Sequence, residues 1–333
     1  MRDVQLKAEI IDDDRALQAL ARQWWDLWRR SPAAAPFLTP GWMLPWWRQF
    51  APGRLQIVAV RRGARLVGLA PLYVVQRGME IRLLPLGTPI SDYLDVLVDP
   101  SCKCEGIALL MESVLALRWD VLVLEELSEE ATAWNLPCSS AASFESRQDI
   151  CCPVLYLDCA EDLDGAVPSR RRRQLRRALR AARRRGETSI EAAESSPGRF
   201  LDHLFRLHHA SWQRRGESGV LWDPTVQAFH RNALPCLVSA GLARCYLIRI
   251  DAAVVGAYYG FLHGSKAYAY IGGFDPDFAD ESPGSILMGH ALAAAVREGA
   301  TEFHFLRGGE AYKYSWGAVD RWNGRRTFIR SRR

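Results

Sequence analysis

KAYAYIGGFDPDFADESPGSILMGHALAAAVREGATEFHFLRGGEAYKYSW, residues 266–316, alternates strand, helix, strand and helix signals in an order that points to an α/β fold. Lys266 to Gly273 mixes aromatic, β-branched and small side chains in the manner of a strand. Asp275-Pro276 is a turn signal, and Ser282-Pro283-Gly284-Ser285 is a helix start, because proline suits a first helical turn, where no N–H is needed. An apolar helix then runs to Gly299, Glu302 to Phe305 forms a short strand, and Gly308-Gly309 leads into a further short helix. In α/β sheets, sites gather at strand ends of this kind.

Working outward, Thr188 to Ala192 reads as a strand, and a helix from Pro197 to about Arg214 carries Phe200, Leu204, Leu207 and Ser211 on one face. A second helix starts after Asp223-Pro224 and stops at Gly241. Ala243 to Ile250, Val254 to His263 and Lys266 to Gly273 are separated by tight turns at Asp251-Ala252 and Gly264-Ser265, which predicts an antiparallel meander. The first half repeats this order. Val4 to Ile10 is a strand, Arg15 to Arg29 and Pro40 to Phe50 are helices, Leu55 to Arg61, Arg65 to Val75 and Ile81 to Leu86 are strands, and a helix from Gly106 to Leu117 precedes a strand at Val121 to Leu124. Asp99-Pro100 and Glu105-Gly106 match Asp275-Pro276 and Glu281 to Gly284. The expectation is two similar α/β domains, 1–150 and 151–333, divided near residues 137 to 165, where Pro137, a serine cluster from Ser139 to Ser146 and Pro153 interrupt the pattern.

At 333 residues, 49% apolar and 24% charged, the composition is that of globular chains and excludes disorder, collagen and coiled coil as global readings. No run approaches the roughly 18 apolar residues of a membrane helix, and Met1 to Arg15 is polar and acidic, so the chain reads as cytoplasmic and soluble. The formal charge is +5, yet Arg170 to Arg185 alone holds ten arginines and no acid; without those ten charges the other 317 residues sum to −5. The eight cysteines, including Cys102, Cys151, Cys159 and Cys245, form no Cys-x-x-Cys pair. They read as reduced thiols, with no metal-ligand spacing.

Several residues are equipped for chemistry. The N–H groups and dipole at a helix start bind anions, so Ser282 to Ser285 can seat a pyrophosphate or simply cap a helix. Beyond Phe303-His304-Phe305, Glu310 can act as a general base and Tyr312 as an acid, while Arg307 and Lys313 can hold an anion; the bland alternative is that Glu310 caps the short helix and the tyrosines pack. Asp275 is a second candidate base or an ordinary turn former. The arginine run carries Leu175, Ala178, Leu179 and Ala182 at helical spacing. It reads as a solvated amphipathic helix, as a site for an anionic glycan, membrane surface or acidic protein, or as an RNA contact. Six tryptophans between Trp24 and Trp47 read as same-face packing or as a sugar-stacking lid, and His208 and His209 as packing groups or substrate contacts.

Leu306-Arg307-Gly308-x-Glu310-x-Tyr312-Lys313-Tyr314-x-Trp316, preceded by Gly273-Phe274-Asp275-Pro276 and Ser282-Pro283-Gly284, resembles the GNAT-type acetyltransferases of the CelD group, associated with cellulose and exopolysaccharide biosynthesis. The resemblance extends through Arg170 to Arg185, Leu207-His208-x-x-Ser211-Trp212-x-x-Arg215-Gly216, Pro36-Phe37-Leu38-Thr39-Pro40-x-Trp42 and Ala70-Pro71-Leu72. It implies an α/β fold of two tandem GNAT-like domains with mixed sheets flanked by helices, as in the FemABX transferases. The first would be without cofactor and the second catalytic. It further implies acetyl-CoA or another acyl-CoA held by Gly273, Ser282, Pro283, Gly284, Ser285 and Ile286, catalysis by Glu310, Tyr312 and Asp275, and substrate contacts from Arg307, Lys313, His208 and Arg215.

The implied reaction is direct acyl transfer to an amino group of a sugar or cell-envelope precursor, with the thioester carbonyl polarised by N–H groups near Gly273. Two departures stand out. His304 occupies a position more often aspartate, and the phosphate loop is reduced to Gly284. The alternatives are an aminoacyl-tRNA-dependent transferase of FemABX type, against which stands the lack of a long helical insertion, and a non-catalytic scaffold of a polysaccharide system. DNA is not an expected partner.

Overall fold

A computed structural model describes residues 5–138, 140, 142–157 and 162–331; Val4, Ser139 and Cys159, named above, lie outside them. The chain divides into two compact units, Met1–Ile150 with Trp322–Arg333, and Cys151–Arg321.

The first unit runs β1 (Leu6–Ile11), α1 (Asp14–Arg30), α2 (Pro40–Phe50), β2 (Arg54–Leu55), β3 (Ile57–Arg62), β4 (Arg65–Ala70), β5 (Leu72–Arg77), β6 (Glu80–Pro85), β7 (Leu97–Val98), α3 (Lys103–Ala116), β8 (Val121–Leu127) and β9 (Ala142–Cys151). The strand expected from Arg65 to Val75 is two strands in two sheets, because Pro71 has no N–H to give a ladder. β4 joins the sheet β1-β3-β4-β7 and β5 joins the other sheet. Trp24, Trp28, Trp42 and Trp46 are buried; the indoles of Trp24 and Trp28 donate to the carbonyls of Leu38 and Ala35 at 2.9 Å each, so the sugar-lid reading of these tryptophans fails and packing holds.

The second unit runs β10 (Val154–Tyr156), α4 (Leu163–Ala166), α5 (Ser169–Arg185), β11 (Thr188–Ala192), α6 (Pro197–Gln213), α7 (Pro224–Ser239), β12 (Ala243–Ile250), β13 (Ala253–His263), β14 (Lys266–Phe274), α8 (Pro283–Arg297), β15 (Glu302–His304) and α9 (Ala311–Ser315). Its sheet has the order β10-β15-β14-β13-β12-β11. β12 to β14 form the expected antiparallel meander, β11 adds antiparallel to β12, and β15 returns parallel to β14 after the α8 crossover. The stripe read on the arginine helix is real: Ala178 and Ala182 of α5 are buried with Ile286, Leu287 and Ala291 of α8 in one core. On the other face Phe200 of α6 packs edge-on against Tyr259.

The last strand, β16 (Trp322–Arg330), departs from the expected domain limits. It pairs antiparallel with β8, from Gly324↔Leu127 to Ile329↔Val121, and so completes the first unit's sheet β2-β5-β6-β8-β16-β9. The cause is burial of its polar and aromatic groups there. Phe328 enters the core, Asn323 donates to the Glu126 carboxylate at 2.9 Å, and Arg326 donates to the carbonyls of Ala133 (2.9 Å) and Leu136 (2.8 Å).

Candidate functional site

The site is built around the place where β14 and β15 part. Their pairing ends at Tyr268↔His304. Beyond it the chain turns toward the residues around β10: the N–H of Phe305 donates to the Pro153 carbonyl and that of Gly308 to the Cys151 carbonyl, each at 2.9 Å. Among the described residues the edge of β14 after Tyr268 therefore has no strand on that side. β14 also bulges, since Tyr259 faces Ile271 while Gly260 faces Ala269, leaving Tyr270 as the extra residue. Backbone groups alternate in direction along a strand. The Asp275 N–H goes to Val255 at 2.8 Å, so Gly273 also faces β13, whereas Phe274 and Gly272 face the open edge.

Ser211 of α6 closes the end of that edge, accepting from the Phe274 N–H at 2.9 Å. A Cβ on Gly273 would overlap the α6 backbone at Leu207 and His208. Gly273 thus lets helix and sheet approach, and its N–H belongs to the ladder. Gly273, expected as a cofactor contact, is buried, while its neighbour Gly272 is exposed.

At the start of α8, Ser282 is left-handed, with φ of 52°, and its carbonyl receives the N–H groups of Ser285 (3.0 Å) and Ile286 (3.2 Å). Pro283 has no N–H, which leaves Gly284 to supply the amide of the first turn. A Cβ there would meet the Phe274 ring at 3.6 Å, so space is available. Ile286 is buried in the core, with its amide bound to the Ser282 carbonyl.

Facing this turn is α5. Arg171 donates to the Ser285 hydroxyl at 3.0 Å and stacks over Trp316 at 4.0 Å, while Arg185 lies over Phe278 at 5.2 Å. Between α5, the turn at Pro276–Glu281 and α8 lies a cavity of about 730 Å³. Arg171, Arg177, Arg184, Arg185, Ser282 and Ser285 line it, together with the carboxylates of Asp280 and Glu281. The sequence suggests an anionic partner for the arginine run as one of its readings, but not its convergence with the start of α8. The available signal was the seven-residue spacing of Arg177 and Arg184, which puts both on one helix face.

The turn after β15 is held from within. Leu306 and Gly308 are left-handed, with φ of 58° and 102°. Lys313, 2% exposed, donates to the carbonyls of Leu306 (3.1 Å), Arg307 (2.7 Å) and Gly308 (2.9 Å) and pairs with Glu310 at 2.9 Å. The ammonium of Lys313, expected as a substrate contact, is thus engaged in holding this turn. Glu310 accepts no amide of α9, so it does not cap that helix through its side chain; its carboxylate serves Lys313. Arg307 is half-buried above the ammonium its carbonyl binds. Tyr312 is half exposed, edge-on to Phe305; desolvation, with Glu310 adding to it, pushes its phenol up to about 12, so it stays protonated.

The other candidates are placed differently. His208 is buried against Gly219 and Gly273, and desolvation with the neighbouring His209 lowers it to about 4, so its imidazole is neutral. Asp275 accepts the Asp277 N–H at 3.1 Å, the role of a turn former, and no hydrogen bond or ion pair among the described residues links it to Glu310 or Tyr312. Arg215 is exposed over Trp212. Near it, Trp222, 55% exposed, stacks on His209 with centroids 3.9 Å apart. The bond from Arg214 to the Pro276 carbonyl (3.1 Å) ties the end of α6 to the turn after β14. His304 bonds Glu302 at 2.8 Å and stacks on Tyr268, in the paired part of the strands. That bond, and then the charges of Arg321 and Lys266, hold the Glu302 carboxyl at about 2.

Residues 169–314 match the sequence model of the family described as acetyltransferase (GNAT) domain. No curated protein matches the chain. Among solved structures it is similar to FemX, with TM-score 0.69, 14% identity and 97% of each chain covered. It is also similar to the C-terminal domain (DUF2156) of a putative lysylphosphatidylglycerol synthetase from Agrobacterium fabrum, with TM-score 0.60, 12% identity and 93% and 92% of the two chains covered. A third is L-PGS from Bacillus licheniformis, with TM-score 0.58, 11% identity and 97% and 93% covered. These likenesses concern the fold. Residues 169–314 thus resemble an acetyltransferase (GNAT) domain in sequence, and the mixed α/β fold of the chain is shared with the FemX structure.

Proposed function

We propose that the chain is an acyl-CoA-dependent N-acyltransferase, using acetyl-CoA or another acyl-CoA, and that the unit 151–321 carries the chemistry. The observation that supports this most is the unpaired edge of β14 lying beside an arginine-lined cavity at the start of α8. When bound, the acyl-CoA supplies an acyl group activated as a thioester. Gly284 and the cavity arginines suit its phosphates, and the outward amide of Gly272 suits a developing oxyanion. Tyr312 keeps its phenolic proton, as a general acid for a departing thiolate must. Lys313 and Glu310 hold the turn that presents Tyr312. Ser211 and the α6 backbone seal the far end of β14.

For the acceptor we favour an amino sugar or related cell-envelope precursor, as the CelD resemblance implies. The exposed Trp222, stacked on His209 of α6, is the kind of aromatic face on which a sugar ring stacks. The first unit would then be a companion without cofactor, and the setting cytoplasmic. An aminoacyl-tRNA-dependent transferase is the second reading, favoured by the ten arginines of α5 together with the whole-chain likeness to FemX.

Incubation of the full chain with acetyl-CoA and a cell extract, followed by mass spectrometry of acetylated amines, tests the proposal. Acetyl-CoA is expected to raise the melting temperature and yield an acetylated product. A rise with aminoacylated tRNA alone would select the second reading. Silence with every donor would leave a scaffold.

A further inference from the structure

Resting on the reading of unit 151–321 as the donor-binding unit, we propose that α5 is a phosphate clamp: the arginine-lined cavity takes the phosphorylated nucleotide end of the donor, a 3′-phosphoadenosine diphosphate group, with Arg177 and Arg184 as its principal cations. The need for a clamp comes from α8. Its first turn offers little, since Pro283 has no N–H and Ser282 captures those of Ser285 and Ile286. A helix dipole alone contributes only about 0.3–1 kcal/mol to holding an anion. A nucleotide bearing a diphosphate and a phosphomonoester carries roughly three to four negative charges and calls for more.

α5 supplies it. Arg171 and Arg185 are fixed at the two ends of the cavity by their aromatic partners, Trp316 and Phe278. Arg172 and Arg176 lean on Asp164, each at 3.7 Å. Arg177 and Arg184 line the cavity and have no carboxylate partner among the described residues. Seven residues apart, they stand about 10 Å from each other along the helix axis, a gap that two long side chains close onto phosphates on either side of one nucleoside.

Size and charge select the ligand. A volume of about 730 Å³ is of the size that takes a nucleotide. Asp280 and Glu281 repel a phosphate placed against them, which assigns the phosphates to the α5 side and the ribose hydroxyls to the other.

Titration calorimetry of the full chain with coenzyme A, dephospho-coenzyme A and uncharged tRNA tests the clamp. Coenzyme A is expected to bind, to weaken on loss of its 3′-phosphate, and to weaken steeply with salt. The double change R177A/R184A is expected to lower its affinity by about tenfold or more, close to 1.4 kcal/mol, with an unchanged melting temperature. R170A/R173A, on exposed positions outside the cavity, should stay within about twofold of the parent. If coenzyme A binds the parent and R177A/R184A equally well, the clamp is wrong while the acyl-CoA reading stands. If the parent does not bind coenzyme A, both fall, and tRNA binding abolished by R177A/R184A would then identify α5 as an RNA contact.

Discussion

Replacing Lys313 by Met removes one positive charge from a buried position while keeping the length of the side chain. The ammonium spends its hydrogens on three carbonyls, those of Leu306, Arg307 and Gly308, and faces the Glu310 carboxylate. Hydrogen bonds to a charged group are worth about 1.5–3 kcal/mol each, whereas the pair with Glu310 adds only about 0–1 kcal/mol because that carboxylate is open to solvent. Part is recovered, since the ammonium no longer has to be desolvated and Leu306 can leave its left-handed conformation, which costs about 1 kcal/mol. A net loss of about 3 kcal/mol follows. Urea unfolding of the full chain is expected to show it as a lower midpoint of one transition with the slope retained. Amide exchange should accelerate at 306–310, and turnover should fall further than stability because the turn presents Tyr312. A loss below about 1 kcal/mol, with exchange at 306–310 unchanged, would refute the assignment of Lys313 as the cation that holds this turn.

Tyr312→Phe should reduce turnover by about 100-fold without moving the melting temperature, the loss expected for a general acid, and equal falls in both would make Tyr312 a packing residue. Gly273→Ala should destabilise by about 1–3 kcal/mol in chemical denaturation, because its methyl meets the α6 backbone, whereas Gly284→Ala should be neutral or gain up to about 1 kcal/mol. Glu302 titrates at about 2 in the folded chain, below its ordinary 4.5, so its contribution to stability is complete above about pH 4.5 and is lost as pH falls toward 2. The stability gap between the parent and Glu302→Gln should therefore shrink over that window; a gap independent of pH would contradict the bond to His304.

Period and punctuation made the second unit legible. The three strands of the meander, the crossover helix opened by Pro283 and even the apolar stripe of α5 follow from side-chain spacing, which is local information. What sequence could not show are meetings across long separations. Arg171 and Ser285 are 114 positions apart, and only packing brings the arginines of α5 to the start of α8. β16 continues the strand pattern, but nothing local says that its partner is β8. Lys313 reads as a cation able to hold an anion, and the three carbonyls that occupy it and make its burial tolerable appear only once the turn is folded. Likewise Gly273 and Asp275 carry the right residue types at the right strand end, yet one is pressed against α6 and the other ties a turn.

The account stands on a donor seated between α5 and α8 with its acyl end along the free edge of β14. A crystal structure of the chain grown with acetyl-CoA reads this directly. The expected result is density for the phosphates between Arg177, Arg184 and the amide of Gly284, with the thioester carbonyl on the Gly272 side of β14. Density for the donor elsewhere in the chain, or none at saturating concentration, would contradict it.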